Sequence, residues 1–176
     1  MMTEELQRKA QAIKLVAFDI DGIMTDGRLY FTSLGDEIKA FNVKDGLGLK
    51  LLRDSGVEVA IITGRTSELV NRRARDLKIG KLIQGREDKK IALQELMQQE
   101  GLSVDQVAYM GDDLPDLPAI RLAGLGVTVS DALPIVRQHA DLITEAKGGD
   151  GAVREFCDWL MLAQGNLNSI LEPYLS

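Results

Sequence analysis

The stretch "VAFDIDGIMTDG", residues 16–27, runs an apolar segment straight into paired acids. Asp19 and Asp21 stand two apart, and Asp26 and Gly27 follow. In extended backbone, residues i and i+2 project to the same side, so these two carboxylates point together. They repel each other unless a cation joins them or one takes a proton. A strand that ends this way predicts a site at its carboxyl end.

Outward from this strand the pattern repeats. Short apolar runs recur at residues 15–18, 57–62, 82–83, 107–110, 126–129 and 142–143. Helical patterns fill the spaces, at about residues 45–55, 66–77, 88–101, 116–123, 132–138 and 152–163. Apolar strands alternating with helices predict a parallel sheet covered on both faces, a doubly wound, Rossmann-like α/β fold. One stretch breaks the rhythm. "RLYFTSLGDEIKAF", residues 28–41, alternates apolar residues on either side of Ser33-Leu34-Gly35-Asp36 and reads as a β-hairpin. It follows the aspartate pair directly, where a flap over a site would lie. An edge hairpin without a role is the alternative. No insertion is large enough for a second domain, so one domain is expected over residues 1–176, with the flap at 28–41 and no cap domain. The tail "QGNLNSILEPYLS" has a mixed pattern and is expected to be partly mobile.

Composition narrows the function. The chain has 176 residues, a length that suits one domain. It holds 27 acidic and 21 basic residues for a net charge of −6, which argues against nucleic acid as a partner. A local cation can still serve an anionic substrate. No apolar run nears the roughly 18 residues of a membrane span. The beginning, "MMTEELQRKAQAIK", lacks a signal-peptide core and reads as a short amphipathic helix. The single cysteine, Cys157, forms no internal disulfide. A cytoplasmic protein without membrane or nucleic-acid partners is expected.

In open α/β sheets the ligand site lies at the carboxyl ends of the strands. Asp19 and Asp21 follow the first run, and Thr63, Gly64 and Arg65 the second. Lys89 and Lys90 open the helix after the third, and Asp112, Asp113 and Asp116 follow the fourth. Clustered carboxylates with backbone carbonyl and water suit a hard cation of the Mg²⁺ type. Zinc is poorly served, because His139 is the only histidine and Cys157 the only cysteine. Some of these residues have plainer readings. Thr63 could cap a helix, as could Asp116, and Asp113 could be a hydrogen-bond acceptor beside the site. Lys89 is favoured over Lys90 by its spacing from Gln84-Gly85. His139 reads as a surface residue, and Cys157, Trp159, Met161 and Leu162 as packing.

Asp19-Ile20-Asp21-Gly22, Thr63-Gly64-Arg65, Lys89 and Gly111-Asp112-Asp113 resemble, in order and spacing, the four motifs of the haloacid dehalogenase superfamily of phosphotransferases. The resemblance implies Asp19 as nucleophile forming an aspartyl-phosphate, and Asp21 as general acid and then base. It implies Mg²⁺ held by Asp19, Asp112 and the carbonyl of Asp21, with Mn²⁺ or Co²⁺ as substitutes. Thr63 and the Gly64 amide would donate to phosphoryl oxygens, and Lys89 would neutralise charge.

A narrower resemblance covers nearly the whole chain. "FNVKDGLGLKLL" (residues 41–52), "ITGR" (62–65), "GDDLPDLP" (111–118) and "GGDGAVREFCDWLMLAQG" (148–165) are similar to the 3-deoxy-D-manno-octulosonate 8-phosphate phosphatases of lipopolysaccharide sugar synthesis. That likeness implies a small, capless, Mg²⁺-dependent homotetramer whose flaps project toward neighbouring subunits. Its substrate would be a sugar acid with a carboxylate at one end and a phosphate at the other. The implied substrate contacts are Asp21, Asn42, Val43, Lys44, Asp45, Gly46, Lys50, Thr63, Gly64, Arg65, Arg73 and Lys89. Arg65 and Arg73 stand eight apart across the turn into a helix, and a guanidinium can bind both oxygens of a carboxylate. Lys44 and Lys50 stand where relatives often carry arginine, and lysine keeps the charge but loses the fork. Arg73 lies within "NRRAR", a run that also reads as a solvated helix face, and Asp45 could simply cap its helix. Three other functions compete: a phosphatase of a nine-carbon sugar acid 9-phosphate, a phosphomutase, and a non-catalytic oligomerising partner of a sugar nucleotidyltransferase.

Overall fold

A computed structural model describes residues 3–175; Met1, Met2 and Ser176 lie outside it, and with them the ends of the expected first helix, tail and domain. The chain begins with helix α1 (Glu4–Ala12), whose first turn is capped by the Thr3 hydroxyl accepting from the Leu6 amide at 3.2 Å. Strand β1 (Leu15–Phe18) follows, then the short strands β2 (Tyr30–Phe31) and β3 (Glu37–Ile38). Next come α2 (Val43–Asp54), β4 (Glu58–Ile62), α3 (Glu68–Asp76), β5 (Lys81–Ile83) and α4 (Lys89–Glu100). The second half holds β6 (Val107–Met110), α5 (Leu117–Leu122), β7 (Leu125–Thr128), α6 (Pro134–His139), β8 (Leu142–Ile143), α7 (Ala152–Ala163) and α8 (Leu167–Leu175).

Six of the strands form one parallel sheet in the order β5-β4-β1-β6-β7-β8. The chain winds outward from β1 to β5, returns to the other side of β1, and winds outward again. The strand order therefore reverses between β1 and β6, the place where open α/β sheets bind ligands. Every residue of β1, β6 and β7 is buried, as two-sided coverage by helices requires. The core gathers Phe18, Tyr109 and Phe156, with the Phe18 and Phe156 rings edge-on at 6.2 Å.

The sheet strands fall within a residue of their expected positions, while helix starts shift by up to two. The helix expected at residues 45–55 starts earlier, because Asn42 caps it by accepting from the Lys44 amide at 2.8 Å. The helix expected from residue 66 starts later, because Ser67 caps it by accepting from the Leu69 amide at 3.2 Å. The hairpin forms as an antiparallel pair with Tyr30 opposite Ile38 and Phe31 opposite Glu37. The tail, whose pattern is mixed, is helical over most of its described length. It folds into α8, with Leu167 and Ile170 packed against the core. Gly165 turns the chain at φ 77°, and the Asn166 amide donates back to the Met161 carbonyl at 2.8 Å.

Candidate active site

The carboxyl edge of the sheet carries a concavity of about 220 Å³, lined by Asp19, Asp21, Thr63, Gly64, Arg65, Glu87, Lys89, Asp113, Pro115 and Asp116. Asp19 continues β1, and its amide donates to the Met110 carbonyl at 3.0 Å, which ties it to the neighbouring strand. Gly22 turns the chain at φ 92°, and a Cβ there would fall on the Asp112 carboxylate. Only glycine lets these two loops close on each other. Behind them, a Cβ at Gly148 would overlap the Gly22 carbonyl, so the glycine pair before α7 buttresses the aspartate loop. Thr63 is buried, its amide donating to the Ile83 carbonyl at 2.9 Å. It does not cap α3.

Lys89 is buried at the start of α4, with Nζ 2.9 Å from Asp19 and 2.6 Å from Asp116. Burial works against its charge, but Asp19 and Asp116 outweigh it and hold its pKa above the ordinary lysine value. Asp116 is a hub. Its Oδ1 accepts from Lys89 and, at 2.7 Å, from the Tyr109 hydroxyl, while its Oδ2 accepts from the Asp112 and Asp113 amides at 3.1 Å each.

Asp19, Asp112 and Asp116 each offer an oxygen within 4.8 Å of the other two. The donor set is all hard oxygen, as Mg²⁺ prefers. Asp112 Oδ1 is buried without a hydrogen-bond partner, an expensive state that a cation relieves. The Asp116 oxygens already take four donors, so Asp19 and Asp112 are the freer ligands. With no ion present, burial raises the Asp19 carboxyl to about 8; Asp116 adds to the rise and Lys89 opposes it. Burial, then Asp116 and Asp113, raise Asp112 to about 7.

The other sequence-expected residues lie elsewhere. Val43, Gly46, Lys50 and Arg73 line a separate groove of about 420 Å³ between α2 and α3, which shares no lining residue with the aspartate pocket. Arg73 reaches back to the Asn42 carbonyl at 3.3 Å, and its guanidinium lies 5.5 Å from the Phe41 ring centroid. Lys44 is exposed on the first turn of α2. Asp45 is 1% exposed and accepts the Arg154 amide at 2.9 Å, so it caps the start of α7 and not its own helix.

Sequence reading missed Tyr109 and Lys39. A tyrosine inside a buried strand must satisfy its hydroxyl, and that requirement was a usable signal for Tyr109. Lys39 lies in the flap with its Nζ 2.5 Å from Asp21 Oδ1, and nothing local in the sequence marks it.

A haloacid dehalogenase-like hydrolase family profile matches residues 78–156. The 3-deoxy-D-manno-octulosonate 8-phosphate phosphatase KdsC of Escherichia coli strain B is 45% identical over 167 residues, covering 95% of this chain and 89% of that protein. This chain belongs to the 3-deoxy-D-manno-octulosonate 8-phosphate phosphatase family. A phosphatase of that name from Moraxella catarrhalis, solved with magnesium, phosphate and a KDO molecule, superposes with a TM-score of 0.96 at 46% identity, covering 98% of this chain and 99% of that one. A cobalt-bound family member from Haemophilus influenzae superposes with a TM-score of 0.90 at 39% identity, covering 96% and 99% of the two chains. The fold of the family is thus the fold of this chain.

Proposed function

We propose that this chain is a Mg²⁺-dependent phosphomonoesterase that hydrolyses 3-deoxy-D-manno-octulosonate 8-phosphate to the free sugar acid and phosphate. The observation that carries the reading is the convergence of Asp19, Asp21, Thr63 and Lys89 on one pocket, in a chain of this family. Asp19 attacks phosphorus, and the ester P–O bond breaks as Asp21 gives its proton to the departing alkoxide. Water then gives a proton to Asp21 and attacks the aspartyl-phosphate. The bond to Asp19 breaks and phosphate leaves. Thr63 and the Gly64 amide hold phosphoryl oxygens, and Lys89 balances charge on nucleophile and phosphate. Asp19, Asp112 and the Asp21 carbonyl would hold Mg²⁺, which when bound supplies positive charge between the anionic nucleophile and the anionic ester.

Arg65 reads the carboxylate end of the sugar acid, and Asn42, Val43, Lys44, Gly46, Lys50 and Arg73 complete substrate recognition, with Asp45 holding α2 to the start of α7 behind them. Several of these line the α2–α3 groove and not the pocket, a separation that an assembly can bridge by setting the groove of one subunit against the pocket of another. A homotetramer fits this need. The flap supports it by exposing Phe31 at 61% and Leu34 at 88%, apolar surface that a neighbouring subunit would cover. Light scattering tests that mass. A single compact phosphatase domain, working in the cytoplasm, agrees with the lone buried Cys157.

Phosphate release from a panel of sugar phosphates, with and without Mg²⁺, tests the activity. A Mg²⁺-dependent preference for the eight-carbon sugar acid ester is expected. A larger kcat/KM for the nine-carbon 9-phosphate would move the assignment to that substrate. Turnover that persists in Asp19→Asn would remove the nucleophile assignment.

A further inference from the structure

Asp21 Oδ1 accepts from Lys39 Nζ at 2.5 Å, across 18 residues of chain. Lys39 follows β3 on the return arm of the flap. Its side chain is 2% exposed, although its neighbour Ile38 is 53% exposed. Burying a lysine is costly unless it is paired, and both of its partners are at hand. Besides Asp21, Lys39 Nζ lies 3.3 Å from Glu37 Oε1, and the same Glu37 oxygen lies 3.3 Å from Arg65 Nη1. That oxygen is buried and makes no hydrogen bond, so only the two cations balance it. A continuous chain of charge therefore runs Asp21–Lys39–Glu37–Arg65. Its middle members both belong to the flap. Its ends belong to the loops after β1 and β4.

We propose that Lys39 is a positioning residue for Asp21. It engages Oδ1 and so presents Oδ2 to the oxygen that leaves phosphorus. Glu37 ties Lys39 to Arg65, so the flap couples the proton-transfer group to the group that meets the far end of the substrate. This rests on the reading of Asp21 as acid and base. The proton balance is unchanged by Lys39. Asp21 gives one proton to the alkoxide and takes one from water, and Lys39 exchanges none. Aiming Asp21 serves both steps, but in the first step, transfer of the phosphoryl group to Asp19, it matters only where the leaving group needs a proton.

The test compares Lys39→Met and Lys39→Arg with wild type on two Mg²⁺-dependent substrates. One is the sugar acid phosphate, an alkyl ester. The other is p-nitrophenyl phosphate, whose leaving group departs unprotonated. General acid catalysis is worth about 10²–10⁴-fold. Read as the single-turnover rate of leaving-group release at saturating substrate, Lys39→Met is therefore expected to slow the alkyl ester on the order of 10–100-fold and the nitrophenyl ester by less than about threefold, whatever happens to the later hydrolysis step that both share. Lys39→Arg keeps the charge and is expected to recover most of the loss. Equal losses on both esters would reduce Lys39 to a structural part of the flap, and no loss on the alkyl ester would overturn the proposal outright. Should Lys39→Met fail to fold, Lys39→Gln carries the same comparison. If wild type rejects the sugar acid ester but cleaves another alkyl phosphate, the substrate assignment fails. The leaving-group comparison is then made on the ester it takes.

Discussion

Replacing Tyr109 by phenylalanine removes one oxygen from the floor of the site. Tyr109 is fully buried in β6, and its hydroxyl donates at 2.7 Å to Asp116 Oδ1. Burial first, and the charge of Asp116 next, push the phenol well above its ordinary pKa, so it stays a neutral donor. A hydrogen bond to a charged acceptor contributes about 1.5–3 kcal/mol. The same oxygen keeps Lys89 at 2.6 Å, so the carboxylate is not stripped of partners. The lower part of the range, about 1.5–2 kcal/mol, is therefore expected. For a domain of this length each kcal/mol moves Tm by about 2–4 °C, which gives a fall of roughly 3–8 °C. Calorimetry at pH 7, with chelator and then with Mg²⁺, measures it. Phosphate release by the same variant should show kcat reduced and KM little changed, because Lys89 and Asp112 are held through Asp116 while the substrate contacts are untouched. A Tm within about 1 °C of wild type would show that the hydroxyl contributes nothing and that Lys89 and the backbone donors suffice to organise Asp116.

The other predictions concern metal, backbone, cap and charge. Asp19 and Asp112 hold protons unusually high, at about 8 and about 7, and a metal must displace them. Mg²⁺ affinity by calorimetry should climb from pH 5 to about 8 and flatten above; a pH-independent affinity would refute this. Because both folded values lie above the unfolded carboxylate value, the two groups favour folding only while protonated. Metal-free Tm should therefore fall as pH rises from about 4 to about 8, and Mg²⁺ should reverse the fall. Gly22→Ala adds a methyl where Asp112 lies and strains a φ of 92°; Mg²⁺ affinity should drop at least about tenfold with an unchanged circular dichroism spectrum. Asp45→Ala removes the cap on α7 and should cost about 0.5–2 kcal/mol in denaturant unfolding, whereas Asp45→Asn, which keeps an acceptor, should restore most of it. Arg65→Lys should raise KM for the sugar acid ester and leave phenyl phosphate unaffected; equal effects on both would show that Arg65 does not read the carboxylate.

What the sequence made legible was whatever is local. The strand at residues 15–18 and the strand at 107–110 stand where their apolar runs stand, because a buried parallel strand needs nothing but apolar residues. The aspartates, Thr63 and Lys89 reach one pocket because every strand of such a sheet ends at the same edge. What the sequence concealed is made by side chains far apart in the chain. Asp45 reads as the first-turn acid of its own helix, yet its partner amide lies 109 residues away. Lys39 reads as one polar residue in a hairpin, and its burial comes only from the fold of the flap onto Asp21. Tail residues 164–176 lack a clean helical period, yet α8 forms because α7 offers Leu167 and Ile170 a surface. Propensity is a weak prior where packing decides.

The placement of the two buried lysines gives the site its logic. Lys89 approaches from the rigid side, rooted in α4 and clamped by Asp116, Tyr109 and the backbone of the Asp112 loop. Its position does not depend on the flap. Lys39 approaches from the other side, on the arm of a hairpin whose two strands pair only with each other. A two-stranded ribbon is marginal by itself, so its position must come from what it touches. Here those contacts are Asp21 and, through Glu37, Arg65. Asp19 is thus held by the scaffold and Asp21 by the flap. On the mechanism proposed above, that division would keep Asp19, Lys89 and Asp112 in place whatever the flap does. It also places the strongest demand on Glu37, whose buried oxygen makes no hydrogen bond and has Lys39 and Arg65 beside it at 3.3 Å each, so on the proposed reading of Arg65 a substrate carboxylate there would compete with Glu37.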